Sequence, residues 1–204
     1  MTTRRLLWDV DTQVDFMLPE GKLYVPGAEE AAPAMGRLVA AAREAGLVHV
    51  ASADDHELTD KEISAEPDFS ATYPPHCLRG TRGARKVPET EQVDPVPLGL
   101  EPVAERYLEG REFLLLKKHF DVFTNPHAAL LLERLDPEEV LVFGVATDVC
   151  DNAAILGVLE RGRRVRFVED AARGLDEGRT AACLADWRER GVAFSTVDEA
   201  LRLL

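Results

Sequence analysis

The chain alternates short apolar runs with longer stretches whose apolar positions recur at helical spacing. Leu6–Val10, Leu47–Ala53, Phe113–Leu116, Val140–Val145, Val165–Val168 and Val192–Ser195 read as strands. Their nearly continuous apolar character suits strands covered on both faces, as in a parallel sheet. Ala28–Ala45 reads as a helix that stops at Gly46. Asn125-Pro126 supplies a cap and a first-turn proline for a helix running to about Leu135. Another helix spans about Val149 to Arg161 and stops at Gly162; a further one spans Asp176 to Arg190 and stops at Gly191. Thr196-Val197-Asp198-Glu199 has the form of a capping box opening a last helix. The alternation predicts a three-layer α/β/α fold around a six-stranded parallel sheet, Rossmann-like in plan.

The interval from Asp54 to Glu112 breaks this rhythm. It shows little regular pattern beyond a short helical stretch near Val103–Leu108, and it holds most of the prolines. So long an irregular interval inside one domain is usually functional or disordered. Asp54, His56, His76 and Cys77 lie in it and favour the functional reading. The expected organisation is one domain over 1–204 with a long active-site insertion at about 54–112.

Composition narrows the function classes. At 204 residues and 46% apolar content, the chain can bury a real core. A net charge of -13 argues against nucleic acid or an anionic membrane as a general partner. Three cysteines make a poor disulfide framework and fit a reducing compartment. Leu6-Leu7-Trp8 is too short for a signal core, and no apolar run approaches a membrane span, so the expectation is cytoplasmic. No glycine-rich dinucleotide fingerprint follows the first strand.

In an open parallel sheet, ligands bind beyond the carboxyl ends of the strands. That rule selects Asp11 after the first strand, Asp54 and His56 after the second, Lys117 after the third, and Thr147–Cys150 after the fourth. Cys150 falls at the start of a helix, where the dipole favours thiolate and free N–H groups can hold an oxyanion. From position alone it serves equally well as a nucleophile or as a small buried hydrophobe. A carboxylate at Asp11 could take the thiol proton and pass it to a leaving amine. The plain alternative is a loop aspartate, with Asp9 and Asp15 close by. Lys117 could stabilise the pair, with its neighbour Lys118 as rival, since alternation points one of them away.

The segments Val10-Asp11-Thr12-Gln13-Val14-Asp15-Phe16, Lys117-Lys118-His119-Phe120-Asp121-Val122-Phe123 and Gly144-Val145-Ala146-Thr147-Asp148-Val149-Cys150 resemble the motifs of the isochorismatase-like cysteine hydrolases, most closely their nicotinamidase branch. The resemblance covers essentially the whole chain. It implies a catalytic set of Asp11, Lys117 and Cys150, a cis peptide bond at Val145–Ala146, and an oxyanion hole from the N–H groups of Ala146 and Cys150. It also implies assembly into homo-oligomers.

Ala53-Asp54-Asp55-His56 followed by Tyr73-Pro74-Pro75-His76-Cys77 is similar to the nicotinamidase metal site. The resemblance implies a divalent ion on Asp54, His56 and His76, with zinc expected first and manganese or iron as alternatives. Glu62 or Glu66 could add a ligand, and the spacing does not choose between them. The ion's implied role is to orient a ring nitrogen of the substrate. Phe16, Tyr73 and Phe123 are the implied pocket walls. Two positions depart from the family pattern: Tyr73 stands where nicotinamidases usually carry Trp, and Asp121 where many relatives carry Ser.

The function implied is cysteine-dependent hydrolysis of a small carboxamide through a thioester, nicotinamide to nicotinate and ammonia first. A metal-free relative acting on another carboxamide, ureido or carbamoyl compound is the alternative. A vinyl-ether hydrolase is disfavoured by Cys150, and a scaffold protein by the complete set of three. His49 reads as a core or edge histidine and Cys183 as core, while Cys77, next to His76, is not expected to touch the metal. His119 and His127 have no evident partner, and Arg79–Lys86 reads as a solvated loop.

Overall fold

Seven parallel strands make up the sheet of the computed structural model, which describes residues 4–204. They are β1 (Arg5–Val10), β2 (Val48–Asp54), β3 (Val96–Leu98), β4 (Glu112–Lys117), β5 (Glu139–Val145), β6 (Arg164–Arg173) and β7 (Ala193–Ser195). Their order is β3-β4-β2-β1-β5-β6-β7. The α-helices are α1 (Val14–Met17), α2 (Ala28–Glu44), α3 (Pro126–Leu135), α4 (Asn152–Glu160), α5 (Glu177–Glu189) and α6 (Val197–Leu201).

Alternation along β1 sorts the layers. Leu6, Trp8 and Val10 point into a core shared with Leu131 of α3, Ile155 of α4 and Trp187 of α5. Leu7 points the other way, into a core with Met35 and Leu38 of α2 and Ala200 of α6. The three-layer α/β/α reading therefore holds. Among the described residues, no helix is long and apolar enough to cross a membrane.

The expected six strands become seven. The addition, β3, lies inside the interval that shows no pattern, and its three residues include Pro97. Proline cannot donate to a ladder, and β3 sits at the sheet edge beside β4, where that costs least. Its pairing is a tertiary contact. Asn125 reinforces it by donating through Nδ2 to the carbonyls of Leu98 and Leu116, both at 2.8 Å. The helical stretch near 103–108 is a single 3-10 turn, Glu105–Leu108.

Strand β6 runs on to Arg173 through the polar pair Glu169-Asp170, with a register shift against β5 between Val142 and Gly144. The caps fall where the sequence puts them. Asn125 accepts from His127 N–H, Asp176 from Arg179 N–H, and Thr196 with Glu199 completes a capping box. Because β2 and β5 flank β1 on opposite sides, the chain reverses direction across the sheet there. A crevice opens at the carboxyl end of β1.

Candidate active site and metal centre

Three strand ends meet at that crevice. Asp11 follows β1 in the left-handed backbone region (φ 51°), which short polar side chains tolerate. Its Oδ1 accepts from Ser52 Oγ at 2.7 Å. Lys117 ends β4 with a fully buried side chain. Its ammonium lies 2.8 Å from Asp11 Oδ2, pairs with Asp54 Oδ1, and stands 3.9 Å from Cys150 Sγ. One cation thus touches the candidate acid, the candidate thiol and the first candidate metal ligand. Lys118 turns outward instead, donating to the Asp55 carbonyl and pairing with Asp60.

The Cys150 turn follows β5. Gly144 adopts φ 137°, and a Cβ there would come within 2.1 Å of the Val10 carbonyl oxygen, so only glycine permits this approach of β1 and β5. The Val145–Ala146 peptide is cis. Thr147–Asp151 then forms one wide π-type turn before α4 begins. The N–H groups of Val149 and Asp151 fold back to the Ala146 carbonyl at 2.9 and 3.1 Å. Asp148 pins the turn from outside, accepting from Leu175 N–H at 2.7 Å and Arg179 Nε at 3.0 Å.

The charges decide protonation at rest. Burial pushes the Cys150 thiol well up; Lys117 opposes this, while Asp11 and Asp54 add to it. The helix-start position therefore does not make a resting thiolate. Burial also raises Asp11, and Lys117 offsets only part of that. Lys117 stays charged, because the paired carboxylates outweigh the cost of burial.

Asp54, His56, Glu62 and His76 are all buried, with donor atoms within 4.8 Å of one another. Backbone pairing gathers them from distant sequence. His56 N–H donates to the Cys77 carbonyl, and Arg79 N–H to the His56 carbonyl. Tyr73 N–H donates to the Glu62 carbonyl at 2.8 Å, which brings Glu62 in. Glu66 lies exposed outside the group, so of the two candidates only Glu62 stands beside Asp54, His56 and His76.

The donor set fits a divalent ion on two observations of geometry. His56 Nε2 is buried with no hydrogen-bond partner, 3.6 Å from Asp54 Oδ2 and 3.9 Å from Glu62 Oε1. The other ring nitrogens are taken, His76 Nδ1 by the Pro74 carbonyl at 2.8 Å and His56 Nδ1 by Asp60 at 3.2 Å. That leaves both Nε2 atoms facing inward. Burial and the nearby Asp54 push the Glu62 carboxyl up, the mark of like charges held together.

A narrow cavity joins the two halves. Cys150 and Ala146 line it with Asp54, Glu62 and His76, and the side chains of Phe16 and Tyr73 border it. Phe123 does not line it. That ring packs against Trp8 at 5.8 Å, lies under the Arg161 guanidinium, and faces an outer cleft. Phe120 takes the inner position, and that cleft shares Tyr73, Phe120 and Val149 with the cavity. Both aromatics lie in the segment that follows Lys117, the resemblance pointed to Phe123, and only packing separates them.

Several supporting residues escaped the sequence reading. Gln13 is buried and spans both backbone polar groups of Asp54. Asp15 accepts from Cys77 N–H at 2.7 Å, which anchors the loop carrying His76. Lys86 is not solvated: it reaches Asp9 Oδ2 and Thr12 Oγ1, each at 2.7 Å, behind the acid loop. His127 donates from Nδ1 to the Gly99 carbonyl at 2.9 Å, a structural contact.

Residues 6–199 match the family model of the isochorismatase domain. The chain is 31% identical over 191 residues to a nicotinamidase/pyrazinamidase of Mycobacterium tuberculosis, covering 92% of this chain and 96% of that one. It is 25% identical to a nicotinamidase of Escherichia coli, with 91% and 97% covered. Among solved structures, a pyrazinamidase of Pyrococcus horikoshii in complex with zinc superposes with a TM-score of 0.75 at 25% identity, over 95% of this chain and 99% of that one.

Proposed function

The chain belongs to the isochorismatase domain family, and from that premise we propose that it is a cysteine-dependent amidohydrolase converting nicotinamide and water to nicotinate and ammonia. The observation that carries the reading is the contact of Lys117 with Asp11, Asp54 and Cys150. Its relatives' names support the choice of amide.

In this reading Asp11, whose burial makes it a stronger base than an ordinary carboxylate, takes the proton of the Cys150 thiol. Lys117 holds both groups while charge moves between them. The sulfur attacks the amide carbonyl carbon, and the N–H groups of Ala146 and Cys150 receive the oxyanion. Protonated Asp11 gives its proton to the leaving nitrogen, the C–N bond breaks, and ammonia departs. Water then gives a proton to Asp11 and attacks the thioester carbonyl. The C–S bond breaks, and the proton returns to sulfur. Asp54, His56, Glu62 and His76 would hold a divalent ion, zinc first. When bound, it would supply a Lewis-acid point for a substrate ring nitrogen. Phe16, Tyr73 and Phe120 would clasp the ring.

The reading treats 1–204 as one hydrolase domain whose segment from about 54 to 112 brings the metal ligands. The free thiols of Cys77, Cys150 and Cys183 agree with a cytoplasmic setting. Tyr73, in place of the family's usual Trp, keeps other carboxamides and carbamoyl compounds in view. Ammonia release from nicotinamide, pyrazinamide and a carbamoyl amine, with and without chelator, tests the proposal. Nicotinamide turnover should be fast, chelator-sensitive and lost in Cys150→Ala, with the circular dichroism spectrum unchanged. Ammonia release at the wild-type rate in Cys150→Ala sinks the mechanism.

A further inference from the structure

The outer side of the metal group carries its own arrangement of charge. Asp60 follows His56 by four residues, and its Oδ2 collects three donors. His56 Nδ1 lies at 3.2 Å, Glu57 N–H at 2.8 Å and the Lys118 ammonium at 3.0 Å. Lys118 also donates to the Asp55 carbonyl, so the ammonium is tied on two sides. The His56 ring is fully buried, and its Nε2 faces the other ligands without a partner.

An acceptor at Nδ1 fixes the proton there and frees the Nε2 lone pair. His76 and His56 achieve this differently. His76 leans on a neutral carbonyl, that of Pro74, and His56 leans on a carboxylate. A carboxylate behind an imidazole fixes the ring plane and strengthens the nitrogen on the far side.

We propose that Asp60, held in place by Lys118, is the positioning residue that sets the orientation and donor strength of His56 in the metal group. The inference rests on the reading of Asp54, His56, Glu62 and His76 as a metal site. It also gives the adjacent lysines separate tasks. Lys117 turns inward to Asp11 and Asp54, and Lys118 turns outward to the support of His56. The competing role for Asp60 is local: Asp60 N–H donates to the Glu57 carbonyl at 3.0 Å, and the side chain closes the same turn.

Zinc affinity separates these roles. The full-length protein is stripped with chelator, and its apparent zinc affinity is measured by competition with a chromophoric chelator at neutral pH. Melting of the metal-free protein is followed in parallel. Asp60→Asn keeps an acceptor for the turn and removes the charge. It should weaken zinc binding about tenfold or more, with metal-free melting unchanged. Lys118→Met should weaken binding in the parent but add nothing in the Asp60→Asn background. His76→Ala removes a ligand and tests the site itself. If the parent binds no zinc, or His76→Ala binds it equally well, the metal reading fails. If those two behave as expected but Asp60→Asn binds zinc as tightly as the parent, Asp60 is a turn residue only and the inference is overturned. Additive losses in the double variant would overturn the part assigned to Lys118.

Discussion

The side-chain amide of Gln13 pairs with both backbone polar groups of Asp54, donating to its carbonyl and accepting from its N–H, each at 2.7 Å. One buried side chain thereby locks the loop after β1 to the end of β2. In Gln13→Leu, two backbone groups of Asp54 lose their partners inside the protein. Each such group costs about 1–3 kcal/mol. Denaturant unfolding should show the midpoint fall with an unchanged slope. An unchanged midpoint would mean that the pairing does not hold the two loops.

Lys117→Met should be worse. It leaves Asp11 and Asp54 as buried carboxylates without their shared cation. Breaking a buried pair from one side costs about 3–5 kcal/mol. Urea unfolding reads the stability, and ammonia release from nicotinamide should vanish with it. Retention of parental stability would show that the two carboxylates do not depend on the ammonium.

The Cys150 thiol makes a prediction opposite to that of an activated surface cysteine. Burial and the flanking carboxylates raise it, so the ligand-free protein carries a thiol at neutral pH. Alkylation of the Cys150 peptide, followed by mass spectrometry, should be slow at neutral pH. It should rise only above the ordinary thiol value of about 8.5. Half-maximal reactivity on the acid side of neutrality would contradict this.

Two pocket walls should respond differently. Burial pushes the Tyr73 phenol up to about 12, so it stays neutral over the working range. Tyr73→Phe keeps the ring and should leave kcat/KM for nicotinamide little changed. Phe120→Ala removes a wall of the cavity that holds Cys150. It should lower kcat/KM about tenfold or more. Equal effects of the two changes would argue against ring packing as the source of affinity.

Acid stability should depend on Glu139. Burial alone would raise this carboxyl, but hydrogen bonds from Arg5 and Arg166 outweigh it and hold it below its ordinary value. A depressed folded-state pKa gives stability that is present above the unfolded value of about 4.3 and lost as pH falls through the folded value. Glu139→Gln should therefore be less stable than the parent at neutral pH, and the gap should close in acid. Urea unfolding at neutral and acid pH measures it; a gap that does not shrink in acid would refute the assignment.

Much of this molecule was legible in its sequence because local rules suffice for it. Apolar runs such as Val140–Val145 specify strands by burial alone, and Asn125-Pro126 and Thr196–Glu199 fix helix starts through bonds that span only a few residues. The strand-end rule then brought Asp11, Lys117 and Cys150 to one edge. Tertiary structure decided what depends on contacts between distant segments. Strand β3 exists because β4 and Asn125 pair with it, not because Val96–Leu98 prefers that form. Glu62 stands with Asp54, His56 and His76 and Glu66 does not, because residue 73 pairs beside Glu62. Phe120 faces the cavity while Phe123 packs outside it, a matter of which way a loop turns. The resting state of Cys150 belongs here too. Its place at a helix start suggested a thiolate, but burial, together with Asp11 and Asp54 and against the opposing charge of Lys117, favours the thiol. Charge interactions act through space, and only the folded chain sets those distances.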